Sequence, residues 1–198
     1  PYTLKDFVFF FFLTAIRKRY QALLFGKNIF KKIDKGLNLV AVTPRLTIPI
    51  NFLPQGVLYN RLAALNDKIF FKSVETLLKE FSVTNYIFIN SFNPFYGQNF
   101  PAFFKPVLNV YHSVDDISQS LYVRRHGPRL ESEAIQKADL TFTTSRELKR
   151  IRSTESSHVF YLPNAADIEL FKTSLSDTFE RPFEIRQLSS PIITYTGH

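Results

Sequence analysis

The 198-residue sequence contains no Cys, no Met and no Trp, and only six Gly. Without Cys, disulfide bonds and thiolate metal sites are excluded, and a reducing compartment such as the cytoplasm suits the chain. Because there are also only four His, we expect no metal site. The sequence has neither a Walker loop nor a GxGxxG motif, so both standard phosphate-binding glycine loops are excluded. Pro1 stands where a translated chain has Met, so we expect a processed or trimmed sequence.

Long apolar runs are also missing, because the run that begins at Phe7 covers about ten residues and a membrane span needs about 20. Residues 1–36 combine this run with eight cations and two anions, a net charge of +6. Three interpretations stay open for this segment: a solvated basic face, a buried helix of the core, or a peripheral contact with an anionic membrane. Nucleic acid is not an expected partner, because the cations are not interleaved with aromatics on a known binding module.

Short apolar runs alternate with helical patterns along the rest of the chain, which favours an α/β fold. The best helix is predicted over 58–81, where apolar residues recur near helical spacing. Further helices are predicted over 130–138 and from 145, the latter with capping-box spacing between Thr144 and Glu147. The sequence predicts a buried strand over 37–43. Further strands are predicted over 86–90, 107–111, 140–144 and 159–162.

Strands separated by helices imply parallel pairing with right-handed crossovers. The sequence therefore predicts a doubly wound, Rossmann-like parallel sheet. Ligands bind beyond the carboxyl ends of the strands in such sheets. This rule selects the loops after Thr43, Asn90, Tyr111, Thr144 and Leu162. Asn93, in the second of these loops, is a predicted substrate-binding residue.

The loop after the third of these strands carries an imidazole and two carboxylates, His112, Asp115 and Asp116. A histidine exchanges protons near neutral pH, and a carboxylate can orient it or accept a hydrogen bond from a sugar hydroxyl. The alternative is structural: one aspartate caps the next helix, and His112 is a polar loop residue.

Arg124, Arg125 and Arg129 form a cluster just before the predicted helix over 130–138, which carries Glu131 and Glu133. Clustered guanidinium groups can hold phosphate or carboxylate in a bidentate manner. The alternative is a solvated helix edge whose arginines pair with the two glutamates.

The segments ADLTFTTSREL (138–148) and VFYLPNAADIELF (159–171) follow one another with a short spacer. Their order resembles the end of the N-terminal domain of family 4 glycosyltransferases with the GT-B fold, in which the last strand runs into a PNGvD…F pattern. Pro163, Asn164, Asp167 and Phe171 match that pattern, whereas Ala165 replaces its usual glycine. The loop from Tyr111 to Asp116 is similar to the aspartate-rich loop of teichuronic-acid and capsule-type members, with His112 where that subgroup often has Asp.

The resemblance implies a retaining enzyme that moves a sugar from a nucleotide-sugar donor to a surface polysaccharide or a lipid-linked glycan, without a separate cofactor. It assigns His112 to the acceptor side near the reacting carbon, with Asp115 and Asp116 beside it. Arg124 and Arg125 would bind an acidic acceptor, Asn164 would lie at the hinge between domains, and Gly197 at the donor phosphates.

The resemblance also implies a domain organisation and a location. Residues 1–172 would form a partial acceptor-side domain, 173–190 a linker, and 191–198 the first strand of a donor-binding domain that continues further on. We expect a β-α-β unit before Pro1, and a cytoplasmic protein that rests on the inner face of the membrane. Two other functions stay open: a non-catalytic glycan-binding or scaffold module, and a sugar-nucleotide epimerase of the same fold.

Overall fold

A computed structural model describes residues 29–34, 36, 39–119, 121, 123–173, 180, 182–189 and 192. The chain forms two compact units, of which the first ends at Pro163 and the second begins at Asn164. This division comes before the predicted domain end at residue 172. The strands of the first unit are β1 Ile29–Asp34, β2 Leu39–Thr43, β3 Ile87–Ser91, β4 Leu108–Ser113, β5 Leu140–Thr143 and β6 Val159–Tyr161. The helices that the structure describes in this unit are α1 Val57–Glu80, α2 Gly127–Lys137 and α3 Arg146–Arg152, with a 3-10 turn at Ile117–Gln119.

A four-stranded parallel sheet, in the order β3-β4-β5-β6, is the centre of the first unit. Each strand is a short run that contains β-branched or aromatic residues, which suits a pleated surface. The sheet confirms the predicted α/β, Rossmann-like fold class, and its strands fall within two residues of the predicted ones at each end.

The crossover helices α2 and α3 connect β4 to β5 and β5 to β6. Right-handed crossovers between strands in chain order place both helices on one face of the sheet. Tyr111, Ser113, Thr141 and Thr143 share that face, because parallel register pairs Tyr111 with Thr141 and Ser113 with Thr143. All four are buried beneath the helices. The core on this side of the sheet therefore includes hydroxyl groups.

Helix α1 packs through a cluster of aromatic rings beside β3. The ring of Phe71 is 1% exposed and lies 4.7 Å from that of Phe104, which in turn lies 5.0 Å from the ring of Phe88 on β3. Phe100 completes the cluster at 4.9 Å from Phe104. The abundance of Phe in this chain thus serves in part to attach α1 to the sheet.

The predicted strand over 37–43 exists as β2, but its predicted place as a buried strand of the parallel sheet is wrong. It pairs antiparallel with β1 in a separate two-stranded sheet. Only four residues separate the two strands, and a connection this short closes an antiparallel pair but never a parallel one. Leu39 is 50% exposed and Ala41 is also exposed, in the alternating pattern of a half-covered strand.

The second unit contains α4 Ile168–Thr173 and a 3-10 turn at Phe183–Ile185 inside the predicted linker. The basic, Phe-rich segment before residue 29 and most of the predicted strand over 191–197 lie outside the described residues. Within the described part of the chain, no helix is both long and apolar enough to cross a membrane.

Candidate functional site

A cavity of about 740 Å³ opens beside the carboxyl end of β3. Its walls come from the segment that follows β2, from one side of α1 and from the loop that follows β3. Two of the five loops selected from the sequence, those after Thr43 and Asn90, therefore meet at one cavity. Its lining residues are Val42, Thr43, Pro44, Arg45, Leu46, Thr47, Ile48, Pro49, Ile50, Asn51, Tyr59, Asn66, Phe70, Phe92, Asn93, Phe95, Tyr96 and Val123.

The wall over residues 44–51 has no regular secondary structure, and side chains of its neighbours hold it in place. Asn66 of α1 accepts a hydrogen bond from the Ile48 amide and donates one to the Ile48 carbonyl, both at 2.8 Å. The hydroxyls of Thr47 and Tyr96 lie 2.6 Å apart across the cavity wall. Asn66 is 4% exposed, and its side chain satisfies the backbone amide and carbonyl of Ile48 as a neighbouring strand would.

The opposite wall, the loop over 92–99, is anchored to α1 by a buried carboxylate. Asp67 accepts hydrogen bonds at 3.0 Å from the backbone amides of Gly97 and Asn99 and from the Asn99 side chain. Burial raises the pKa of Asp67, while these hydrogen bonds act in the other direction. Gly97 has a φ of 85°, which favours glycine, and Phe92 at the start of the loop has a φ of 53°. A bulky residue in the left-handed region is strained, and such strain occurs often at binding sites.

His112 lies at the end of β4, one strand away from the cavity. Its Nδ1 is 3.1 Å from the Ser91 hydroxyl, and its carbonyl accepts a hydrogen bond from the Phe92 amide at 2.9 Å. Ser91 and Asn93 together line a smaller recess of about 120 Å³, and Asn93 also lines the main cavity. The imidazole is half-buried and therefore accessible, with the Ser91 hydroxyl beside it.

The two aspartates that follow His112 differ in their surroundings. Asp116 accepts hydrogen bonds from the Ser118 amide at 3.0 Å, from the Ser118 hydroxyl at 2.7 Å and from the Gln119 side chain at 3.1 Å. These bonds lower the pKa of Asp116 and make it the cap of the 3-10 turn, which is the structural alternative left open from the sequence. Asp115 is exposed, and its carboxylate makes no hydrogen bond to any described residue.

Arg125 of the arginine cluster and the adjacent His126 contact the backbone of the loop at residues 52–53. Arg125 donates a hydrogen bond to the Phe52 carbonyl, and His126 Nε2 lies 2.9 Å from the Leu53 carbonyl. The ring of His126 stacks on Tyr59 with centroids 4.0 Å apart. Arg124 is exposed and has no partner among the described residues. Neither arginine lines the cavity.

Only part of the predicted pairing between the arginine cluster and the glutamates of α2 forms, because Arg129 pairs with Glu133 whereas Glu131 pairs with Arg152. Glu131 is fully buried and accepts hydrogen bonds from Tyr111 at 3.2 Å and Ser113 at 2.8 Å, while it forms an ion pair with Arg152. Burial is the main cause that raises the pKa of Tyr111. Glu133 pairs with Arg129 on the same helix. The Glu131 network joins the sheet to α2 and α3 and is structural.

The remaining predicted residues lie in the second unit. Asn164 is exposed at its beginning, and Gly197 lies outside the described residues. The structure therefore brings Asn93 and His112 to one edge of the sheet and adds Arg45, Asn51 and Tyr96, which sequence analysis missed. The loop rule had selected the segments that contain these three residues, but nothing in the sequence indicated which side chains face the cavity.

Across the part of the chain that the structure describes, no group of three or more His, Asp or Glu side chains could hold a metal ion. Comparisons with protein-family models, curated proteins and solved structures give no match to this chain. The resemblance to family 4 glycosyltransferases therefore depends on the motifs quoted above.

Proposed function

We propose that this chain is the acceptor-side part of a retaining glycosyltransferase, which moves a sugar from a nucleotide-sugar donor to a surface polysaccharide or a lipid-linked glycan. The observation that carries this proposal is the cavity of about 740 Å³ at the carboxyl edge of a parallel sheet. This is where α/β folds bind ligands, and its volume lies in the range typical of small-molecule sites.

The lining of the cavity suits a carbohydrate. The aromatic rings of Phe70 and Phe92 can pack against the apolar faces of a sugar ring. Side-chain amides of Asn51 and Asn93 offer both donors and acceptors to hydroxyl groups, and Arg45 offers a cation to an acidic sugar. This mixture of a few polar groups with aromatic walls is typical of sites that orient a polar ligand.

Within this proposal, His112 is the polar group nearest to the reacting carbon, and Ser91 fixes the orientation of its ring. Asp115 hydrogen bonds to acceptor hydroxyls, because its exposed carboxylate is free to do so. Asp116 positions the loop instead of binding substrate, since its oxygens accept bonds from Ser118 and Gln119.

The donor side of the reaction belongs to residues outside the first unit. We propose that Asn164 lies at the hinge and that Gly197 approaches the donor phosphates, as the family resemblance implies. Arg124, which is exposed, is available to an acidic part of the acceptor, whereas Arg125 is partly engaged by the Phe52 carbonyl. The proposed location is the cytoplasm, at the inner face of the membrane.

One observation favours a second candidate, a glycan-binding module without transfer activity. Asp116, one of the two carboxylates expected near His112, is bound locally and has a lowered pKa. A site with one free carboxylate still binds sugar hydroxyls but has fewer groups for chemistry.

Product analysis with the full-length gene product separates these candidates. The protein is incubated with labelled nucleotide-sugars, with and without a lipid-linked or polysaccharide acceptor. The proposal predicts label in the acceptor and free nucleotide only when the acceptor is present. Conversion of the donor sugar without acceptor would indicate an epimerase, and acceptor binding without any turnover would indicate the glycan-binding module.

A further inference from the structure

Helix α1 carries an exposed stripe in which apolar and cationic side chains alternate. Leu58, Arg61, Leu65 and Lys68 follow one another at spacings of three, four and three residues, which places them on one face of a helix. Leu58 is 61% exposed and Leu65 is 42% exposed, while Arg61 and Lys68 are also exposed. We call these four residues the α1 stripe.

The start of α1 extends the apolar part of this surface. Val57 is 68% exposed, and Phe52 in the preceding loop is 70% exposed. The Phe52 loop is held at this place, because Arg125 bonds to the Phe52 carbonyl. Large apolar side chains in adjacent exposed positions, as opposed to scattered single ones, mark a contact surface.

Cations outnumber anions in the sequence around the stripe. Between residues 45 and 74 the sequence has four cations, and its single anion is Asp67. Asp67 is 3% exposed and is occupied by Gly97 and Asn99 on another side of the helix. Arg61 and Lys68 make no ion pair with any described residue, whereas Lys72 further along is paired with Glu75.

We propose that the α1 stripe, together with Phe52 and Val57, docks this protein on the surface of an anionic lipid bilayer. A helix with a cationic and apolar exposed face lies in the interfacial plane, with its apolar side chains among the acyl chains and its cations at the headgroups. This face is distinct from the basic, Phe-rich segment at the beginning of the chain. It does not depend on sugar transfer, because vesicle binding is measured without any sugar.

Charge complementarity favours lipid over other partners. A second copy of the chain would present the same cations to this face and repel it. Tyr59, next to Leu58 in sequence, lines the cavity of the candidate site. Tyr59, Asn66 and Phe70, the α1 residues that line the cavity, lie on a different face of the helix from the α1 stripe, so docking through the stripe does not cover the cavity.

The test is flotation of the protein with vesicles of phosphatidylcholine alone or with about 30% phosphatidylserine. We expect binding to the anionic vesicles only, weakened by high salt. The double variant Arg61→Gln/Lys68→Gln should bind roughly 25-fold more weakly, since each cation near the surface contributes a factor of about five. Leu58→Ser/Leu65→Ser should also weaken binding while leaving the salt dependence in place.

The matched control is Lys105→Gln/Lys149→Gln, which removes the same charge from exposed positions outside the α1 stripe. Binding by this control should stay close to that of the unmodified protein. Equal losses in the two double variants would overturn the proposal, because binding would then follow net charge alone. Unchanged binding by Arg61→Gln/Lys68→Gln would overturn it as well, as would binding of an oligonucleotide in preference to anionic vesicles.

Discussion

The strongest single-residue prediction concerns Arg152, whose side chain is 9% exposed and which neutralises the fully buried Glu131. Arg152→Ala leaves that carboxylate buried without its cation, which should lower the free energy of unfolding by about 3 kcal/mol. Arg150→Ala is the matched control, because Arg150 forms an exposed pair with Glu147. Urea denaturation at pH 7 should show a large loss for the first variant and little change for the second. Equal effects would contradict a structural role for the Glu131 network.

Asp67 gives a residue-scale prediction about pH. Burial raises the pKa of Asp67, so the folded protein binds this proton more tightly than the unfolded chain does. Its contribution to stability is therefore complete below the unfolded pKa and is lost as the pH rises through the folded pKa. The stability difference between the unmodified protein and Asp67→Asn should shrink from about pH 4 towards neutral. A difference that grows with pH would mean that the three hydrogen bonds outweigh burial.

At the scale of secondary-structure elements, α3 begins with a serine cap. The Ser145 hydroxyl accepts a hydrogen bond from the Leu148 amide at 3.1 Å, so the helix begins at Arg146, one residue later than the sequence predicted. Thr144 does not form the expected capping box, because its hydroxyl donates to the Val114 carbonyl. The capping-box prediction is therefore wrong, although a hydroxyl does cap this helix.

Replacing the Ser145 hydroxyl should lower the stability of the protein. Ser145→Ala should lower the free energy of unfolding by about 1 kcal/mol, whereas Ser145→Asp should retain the stability, since a carboxylate accepts the same bond. Ser157→Ala, at an exposed position in the following loop, is the control. Thermal or urea unfolding measures all three. A loss for Ser145→Asp as large as for Ser145→Ala would argue against the capping hydrogen bond.

The elements show which sequence signals were sufficient. The runs IFINS, LNVYHS and LTFT are apolar or β-branched and lie between helical patterns, so the parallel sheet was predictable from order and composition. The pairing of β2 was not, because LVAVT reads as a strand in either type of sheet. Its partner β1 has the sequence IFKKID. Two lysines and an aspartate interrupt the apolar run that would indicate a strand.

At the scale of the whole molecule, the sequence indicated the edge of the sheet that carries the site but not its shape. The loop rule places His112 and Asn93 at the carboxyl ends of strands of the parallel sheet, whereas Thr43, which it also selected, ends a strand of the separate antiparallel sheet. The cavity itself depends on Asn66, Asp67 and Tyr96, which hold two irregular loops in place from a distance along the chain. Such contacts cannot be recognised from a local sequence pattern, because the two residues of each hydrogen bond are distant in the sequence and meet only in the folded chain.

The central claim, that this edge of the sheet belongs to a glycosyltransferase, is tested most directly by kcat/KM for sugar transfer in the full-length gene product. His112→Ala should lower this value by about 10²-fold or more, the range for a group that assists reaction at its centre. His158→Ala is the matched control, since His158 is exposed and precedes β6, at the opposite edge of the sheet. The account predicts a loss confined to the first variant. Full transfer activity in His112→Ala would contradict a role for this edge of the sheet, and no transfer by the unmodified protein would contradict the glycosyltransferase itself.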